Sequence, residues 1–149
     1  MKHRMAVATL ALVGFFVALY LWLWTTGVIG ELVCGDAGCE TVQLSEHAKL
    51  FGIPVSLVGM GGYAALFAIS MAGLSDRWVD RREPTLLLVA LASVGVAYSG
   101  YLTYLEAAVI HAWCRYCVVS AVLMVLVFAA SLWGLHEMRR SPASSAGRE

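Results

Sequence analysis

The sequence predicts an all-α integral membrane protein, a bundle of four transmembrane helices with a cysteine-containing loop between the first two. Hydrophobic residues make up 60% of the 149 residues and charged residues only 13%, whereas a soluble domain carries about 25% charged residues. Four stretches also lack acidic and basic residues over a length that crosses a hydrocarbon core, about 20 residues. Because backbone amides cannot stay unpaired in lipid, each stretch should be helical.

The four helices are expected at about 5–30, 53–74, 85–108 and 114–136, within one domain that covers 1–140. The first is too long for the core of a cleaved signal peptide, about 7–15 residues, and no small-x-small cleavage site follows it. We therefore expect this helix to remain part of the mature protein. The tail at 141–149, SPASSAGRE, is small and polar and is expected to be a disordered cytoplasmic segment.

Basic residues predict the orientation of the bundle. They precede the first helix, occupy the loop between the second and third, and follow the fourth, whereas the other two connections hold only Lys49 and Arg115. The positive-inside rule then places both termini in the cytoplasm. All four cysteines would face the outer, oxidising side, where disulfides persist. Because the chain has so few basic residues, we do not expect nucleic acid as a partner. The apolar composition predicts contact with membrane lipid instead.

The cysteines form two close pairs, Cys34 with Cys39 and Cys114 with Cys117. Cys114 is expected in the first turn of the fourth helix, where free N–H groups, the helix dipole and Arg115 would stabilise a thiolate. Cys117 lies one turn deeper on about the same helix face. This pair is suited to relay electrons between a soluble thiol and a lipid-soluble carrier.

The loop between the first two helices divides into two parts. Its first half, around Gly35 and Gly38, has no periodicity and is expected to be mobile. In its second half Leu44, Ala48 and Phe51 recur at helical spacing, which predicts a short amphipathic helix at the membrane interface.

Two other interpretations of the four cysteines stay open. They resemble the ligand set of a four-cysteine zinc site, or they form two structural disulfides in a membrane protein without enzymatic activity. Attachment of c-type haem would need a histidine after Cys117, and that residue is Val118. No metal ligand is assigned.

Taken together, these motifs resemble the vitamin K epoxide reductase family, in its bacterial branch. The resemblance covers most of the chain between the first cysteine and residue 121, and its motifs occur in the family's order. They are Cys34 and Cys39, Ser45, the run FGIPVSLVG at 51–59, the run YLTYLE at 101–106, and the Cys114–Cys117 pair.

The resemblance implies a four-helix bundle around a quinone, menaquinone or ubiquinone, in the bacterial inner membrane. It implies that Cys34 meets the thiol donor, that Cys39 exchanges with Cys114, and that Cys117 faces the quinone. Ser45 is expected to hydrogen-bond a quinone carbonyl. The donor would be a reduced periplasmic thioredoxin-fold protein of the DsbA type, expected as a separate protein because the chain has no room for a fused thioredoxin domain.

Quinol formation consumes protons, and ionisable residues at the edge of a membrane span are functional candidates. Glu106 and His111 are therefore candidate proton relays, together with His47. Gln43 and Ala121 stand where some animal members of the family have aromatic residues, which weighs against vitamin K epoxide as the substrate. A quinone or vitamin K epoxide reductase with a different thiol donor is the remaining alternative.

Overall fold

The computed structural model describes residues 2–35, 38–78 and 80–140, and its main elements are helices. In chain order these are α1 (Lys2–Thr25), α2 (Gly38–Leu44), a 3-10 turn (Glu46–Ala48), strands β1 (Lys49–Leu50) and β2 (Ile53–Pro54), α3 (Val55–Gly73), α4 (Glu83–Leu105), a π-helical turn (Glu106–Ile110) and α5 (Arg115–Arg140). Four of them, with α4 and the π turn as one continuous span, are long and apolar enough to cross a membrane. The predicted four-helix membrane fold is confirmed. The predicted disordered tail lies outside the described residues.

The first helix ends at Thr25 and not near residue 30, because the chain closes it with a glycine. Gly27 has a positive φ of 78°, a left-handed conformation that glycine adopts without strain. Its N–H donates to the carbonyl of Trp24 at 2.9 Å, and the N–H of Val28 donates to that of Leu23 at 3.0 Å. This pair of bonds is a Schellman motif, which satisfies carbonyls that the end of a helix leaves free.

The remaining helices lie within a few residues of their predicted ranges. The third membrane span begins at Glu83, because Pro84 suits the first turn of a helix, and it continues through the π turn to Ile110. The last helix runs from Arg115 to Arg140.

The predicted position of the interfacial helix is wrong. The helix in this loop is α2, at Gly38–Leu44, and the segment after it forms the 3-10 turn and the β1–β2 hairpin. Phe51 and Gly52 join the two strands with φ values of 52° and 83°, as a two-residue hairpin turn requires. The Phe51 side chain is 97% exposed at the tip, so it lies on no helical face.

The membrane helices pack around one apolar core, with α1 against α3 and α5, and α4 against α3 and α5. Small residues allow the close approaches. Gly14 of α1 lies directly against the ring of Tyr63, whose hydroxyl donates to the carbonyl of Ser120 on α5 at 2.7 Å. Buried residues of the core are Val7, Ala11, Ala18, Tyr63, Leu66, Leu88, Ala92, Met124 and Val127.

At the end of the bundle away from the cysteines, a buried arginine ties three elements together. Arg4 is 1% exposed and its guanidinium donates to the carbonyls of Gly73, Trp78 and Arg81 and to the hydroxyl of Thr85. The Gly73 carbonyl belongs to the last turn of α3, where free carbonyls and the helix dipole favour a cation. Arg4 therefore holds the start of α1 against the end of α3 and the start of α4.

We expect Gly14→Ala to lower the melting temperature of the purified protein in detergent. A Cβ at this position would overlap the Tyr63 ring, and Tyr63 is 1% exposed, so the ring has no free space to enter; overpacking of this kind costs about 1–3 kcal/mol. The matched control is Gly61→Ala on α3, where a Cβ meets nothing within 4 Å. Equal melting temperatures for the two variants would contradict the packing of α1 on α3.

Candidate functional site

The two cysteine pairs meet at one end of the bundle. Cys34, Cys39 and Cys114 form a buried cluster with Val42, and Cys117 packs against it. Cys39 and Cys114 are both 0% exposed, and Cys34 is 4% exposed. Residues far apart in the sequence therefore form one sulfur-rich site at the boundary between the loop and α5.

The two pairs differ in redox state. Cys34 and Cys39 form a disulfide with their Cα atoms 6.2 Å apart, whereas Cys114 and Cys117 are free thiols. In the part of the chain that the structure describes, no group of three or more His, Cys, Asp or Glu side chains is arranged to hold a metal ion.

Two tyrosines hold the first loop cysteine in place through its neighbour Val33. The hydroxyl of Tyr116 on α5 donates to the carbonyl of Val33 at 2.8 Å, and the N–H of Val33 donates to the hydroxyl of Tyr20 on α1 at 3.3 Å. The two rings contact each other with centroids 5.2 Å apart. The backbone next to Cys34 is thus bound to both helices.

A glycine brings the second loop cysteine close to the start of α5. A Cβ built on Gly38 would lie 2.5 Å from the carbonyl oxygen of Trp113, a distance that no larger residue tolerates. Because Gly38 has no side chain, the first turn of α2 packs directly on the backbone before Cys114. Cys39, the next residue, therefore enters the same cluster as Cys114.

Cys114 is the N-cap of α5, one residue before the first turn in which it was predicted. Its carbonyl accepts the first helical bond, from Val118 N–H at 3.0 Å, and its Sγ accepts the N–H of Cys117 at 3.3 Å. Its own N–H donates to Oε2 of Glu106 at 3.1 Å. A sulfur thus takes the place that a hydroxyl or carboxylate oxygen holds at most N-caps.

The electrostatic setting of Cys114 favours a thiolate. The hydrogen bond from the Cys117 thiol lowers the pKa of the Cys114 thiol below its ordinary value, although burial of the sulfur and the nearby Glu106 carboxylate oppose this. The Arg115 side chain, predicted to contribute, lies against Gly35 in the loop. The sulfur partner is therefore the main cause of the lowered pKa.

Cys117 lies at the junction of the sulfur cluster and a cavity of about 350 Å³ between the membrane helices. Side chains such as Leu21, Val58, Leu66 and Leu91 make most of the lining apolar. At the cysteine end the lining turns polar, and Gln43 Nε2 donates to Cys117 Sγ at 3.4 Å. The volume lies within the range of about 300–1,000 Å³ found for sites that hold small molecules and cofactors.

One buried hydroxyl in this cavity has no protein partner. Ser56, in the first turn of α3, is 6% exposed and lines the cavity, and its Oγ makes no hydrogen bond to any described residue. A buried polar group without a partner costs about 1–3 kcal/mol, which a ligand with a hydrogen-bond acceptor would offset. A single serine in an apolar run shows no sequence pattern that marks it, so sequence reasoning missed it.

Three of the other predicted site residues, Ser45, His47 and Glu106, lie around a second, smaller cavity of about 30 Å³. It adjoins the first at Gln43, Glu106 and Cys117, and Ser45 and His47 also line it. Ser45 Oγ donates to the carbonyl of Val42 at 2.7 Å. Its predicted role toward a quinone carbonyl stays a prediction.

Of the candidate proton relays, Glu106 is 3% exposed and lines both cavities. His47 is an exposed residue at the lining of the small cavity. His111 is exposed, follows the π turn with a φ of 54°, and lines neither cavity.

A membrane-spanning helical bundle with two cysteine pairs clustered at one end defines a membrane thiol oxidoreductase. A comparison with protein-family models agrees: the model of the vitamin K epoxide reductase family matches residues 5–132 of this chain. The match includes both cysteine pairs, the whole of α3 and α4, and most of α1 and α5. The protein belongs to the vitamin K epoxide reductase family.

Replacement of Cys117 should raise the pKa of Cys114. In Cys117→Ala the hydrogen bond to the Cys114 sulfur is lost, so a larger fraction of Cys114 stays protonated at neutral pH. Cys117→Ser is the matched control, because its hydroxyl still donates. The ultraviolet absorbance of the Cys114 thiolate, followed against pH with the Cys34–Cys39 disulfide intact, measures the pKa of Cys114 in both variants. A midpoint that does not move in the alanine variant would show that Cys117 does not stabilise the Cys114 thiolate.

Tyr116→Phe should make the Cys34–Cys39 disulfide easier to reduce. The variant loses the hydroxyl that binds the Val33 carbonyl, and one hydrogen bond is worth about 0.5–1.5 kcal/mol. We expect trapping of free thiols after a small dithiol is added to show faster reduction, by up to about 10-fold. Tyr104→Phe is the control, since Tyr104 is exposed. Identical rates in the two variants would mean that the tyrosine contact does not restrain the loop.

Proposed function

We propose that the protein is a quinone-dependent thiol–disulfide oxidoreductase that supports disulfide bond formation outside the cytoplasm. Electrons would pass from a reduced, separate thioredoxin-fold protein of the DsbA type through the two cysteine pairs to a quinone. The observation that carries the proposal is the position of Cys117, whose thiol is in contact with the sulfur cluster and also lines the apolar cavity.

The entry step is an exchange between the partner and the loop disulfide. A partner thiolate attacks Cys34, the Cys34–Cys39 bond breaks, and Cys39 leaves as a thiolate. The second partner thiol then attacks the mixed disulfide, which releases Cys34 and leaves the partner oxidised. Cys34 itself is 4% exposed, but the adjacent Val33 is 79% exposed, so the surface offered to the partner lies directly beside the reactive sulfur.

The inward step transfers two electrons from the loop pair to the Cys114–Cys117 pair. Cys39 attacks Cys114 of an inner disulfide and Cys117 leaves; Cys34 then attacks Cys39 and restores the loop disulfide. The two inner cysteines end as thiols. The structure has the bonding pattern of an oxidised loop pair and a reduced inner pair, which in this scheme is the state ready to reduce an acceptor.

The large cavity fits a quinone. When bound, a quinone, menaquinone or ubiquinone, supplies an acceptor for two electrons and two protons at its carbonyl oxygens. The apolar lining suits the ring and its isoprenoid tail, and the unpartnered Ser56 hydroxyl is available as a donor to one carbonyl. The amide of Gln43, bound to the Cys117 sulfur, holds that sulfur at the polar end of the cavity.

The basic residues support an orientation with the cysteines outside, in the bacterial inner membrane. Arg77, Arg81 and Arg82 lie in the connection between α3 and α4, and Arg139 and Arg140 end α5. All of these are at the end of the bundle away from the cysteine cluster. By the positive-inside rule that end is cytoplasmic, along with both termini.

We expect Cys117→Ala to abolish quinone reduction and to leave the exchange between a reduced thioredoxin-fold donor and the Cys34–Cys39 disulfide intact. The measurement follows the quinone spectrum and donor oxidation separately, with purified protein. Quinone reduction at the normal rate in Cys117→Ala would refute the proposed path.

Ser56→Ala should raise the KM for quinone by about 2–10-fold, the equivalent of one lost hydrogen bond. Ser70→Ala is its control, because Ser70 is buried on the same helix and lines neither cavity.

A further inference from the structure

The small cavity has the features of a site for water. Its volume of about 30 Å³ exceeds the space that one water molecule needs, about 10–15 Å³ on this measure, and a buried water also needs two to four polar partners. The polar side chains around it are Gln43, Ser45, His47, Glu106 and Cys117. The Ser45 hydroxyl donates its hydrogen to the carbonyl of Val42, so its oxygen can still accept a hydrogen bond from a water molecule.

The cavity joins the surface to a buried acid. His47 at its lining is exposed, and an imidazole passes a proton on by accepting at one ring nitrogen and donating from the other. Glu106 on the opposite side is 3% exposed, and among the described residues no basic side chain forms an ion pair with it. Its carboxyl group and the Cys117 thiol line both cavities.

We propose that the small cavity is the proton inlet of the enzyme. A proton enters at His47, crosses one bound water held by Ser45, and reaches the carboxyl group of Glu106 beside Cys117 and the large cavity. Glu106 is then the group that gives this proton to the reacting oxygen of the quinone. The inference rests on the proposed quinone reduction and names the route by which its protons arrive.

The balance of the reaction explains why an inlet is needed. Two thiols and a quinone give a disulfide and a quinol: two electrons leave the sulfurs, the S–S bond forms, and each quinone oxygen gains a proton. When Cys114 reacts as a thiolate, only the Cys117 thiol brings a proton from within the site. The second proton has to come from water outside, and the large cavity is lined mainly by apolar side chains.

The decisive variant is Glu106→Gln. The glutamine carbonyl still accepts the Cys114 N–H that Glu106 accepts now, so the N-cap is preserved while the acid is removed. We expect quinol formation to slow by about 100-fold, as for the loss of a positioned acid. Exchange between the donor and the Cys34–Cys39 disulfide should keep its rate, because that half-reaction involves no proton from Glu106.

A second measurement needs no quinone. In the reduced protein, the infrared S–H band of Cys117, assigned with Cys117→Ser, reports how fast this thiol exchanges its hydrogen with D2O. We expect His47→Gln and Ser45→Ala to slow that exchange by about 10-fold. The matched controls are His136→Gln, an exposed histidine of α5, and Ser93→Ala, an exposed serine of α4 that is also bonded to a backbone carbonyl.

The outcomes separate the two proposals. If unaltered protein oxidises the donor without forming quinol, the proposed function is wrong. If it forms quinol and Glu106→Gln keeps the normal rate, or if the His47 and Ser45 variants exchange hydrogen as fast as their controls, the inlet is wrong and the proposed function stands.

Discussion

The last membrane helix begins inside the protein, and its free N–H groups must find acceptors there, since an unpaired buried N–H costs about 1–3 kcal/mol. Cys114 meets this requirement with its sulfur, which accepts the N–H of Cys117, and Glu106 meets it with a carboxylate that accepts the N–H of Cys114. The bonds that complete the helix thus fix the positions of two thiols and one acid. The side chains of Cys114 and Glu106 thus complete the start of the helix and, in the proposed reaction, also take part in the chemistry.

That arrangement depends on how α4 ends. The π turn, a form found frequently at functional sites, starts at Glu106, whose backbone carbonyl also accepts the N–H of Ala112 at 3.2 Å. One residue therefore closes the connection between two membrane helices with its backbone and caps the second with its side chain. The cysteine loop is placed against the same point, because Gly38 lets α2 pack on the backbone of Trp113. Substitutions in the loop and in the connection are accordingly expected to affect one another.

Sequence patterns predicted the features that depend on averages over many residues. Four charge-free runs identify four spans, and the topology of those spans brings both cysteine pairs to one end. Features set by single residues were not predicted: the glycine that ends α1, the position of α2, the partners of Arg4, and the unpartnered hydroxyl of Ser56. The large cavity was not predicted from the sequence, for a related reason. Gly59, Gly62 and Gly95 line it, and whether a glycine closes a helix contact or leaves space depends on what the neighbouring helix places opposite.

The two cavities differ in size and meet at one sulfur. Most of the surface of the large cavity is apolar, which suits a lipid-soluble acceptor. The small cavity is lined by Gln43, Ser45, His47, Glu106 and Cys117 besides its apolar residues, and His47 is exposed. Cys117 and Glu106 belong to both. In the proposed reaction electrons arrive through the sulfurs and protons through the small cavity. The two can combine only on an acceptor that occupies the apolar cavity beside Cys117, which couples oxidation of the thiols to formation of quinol.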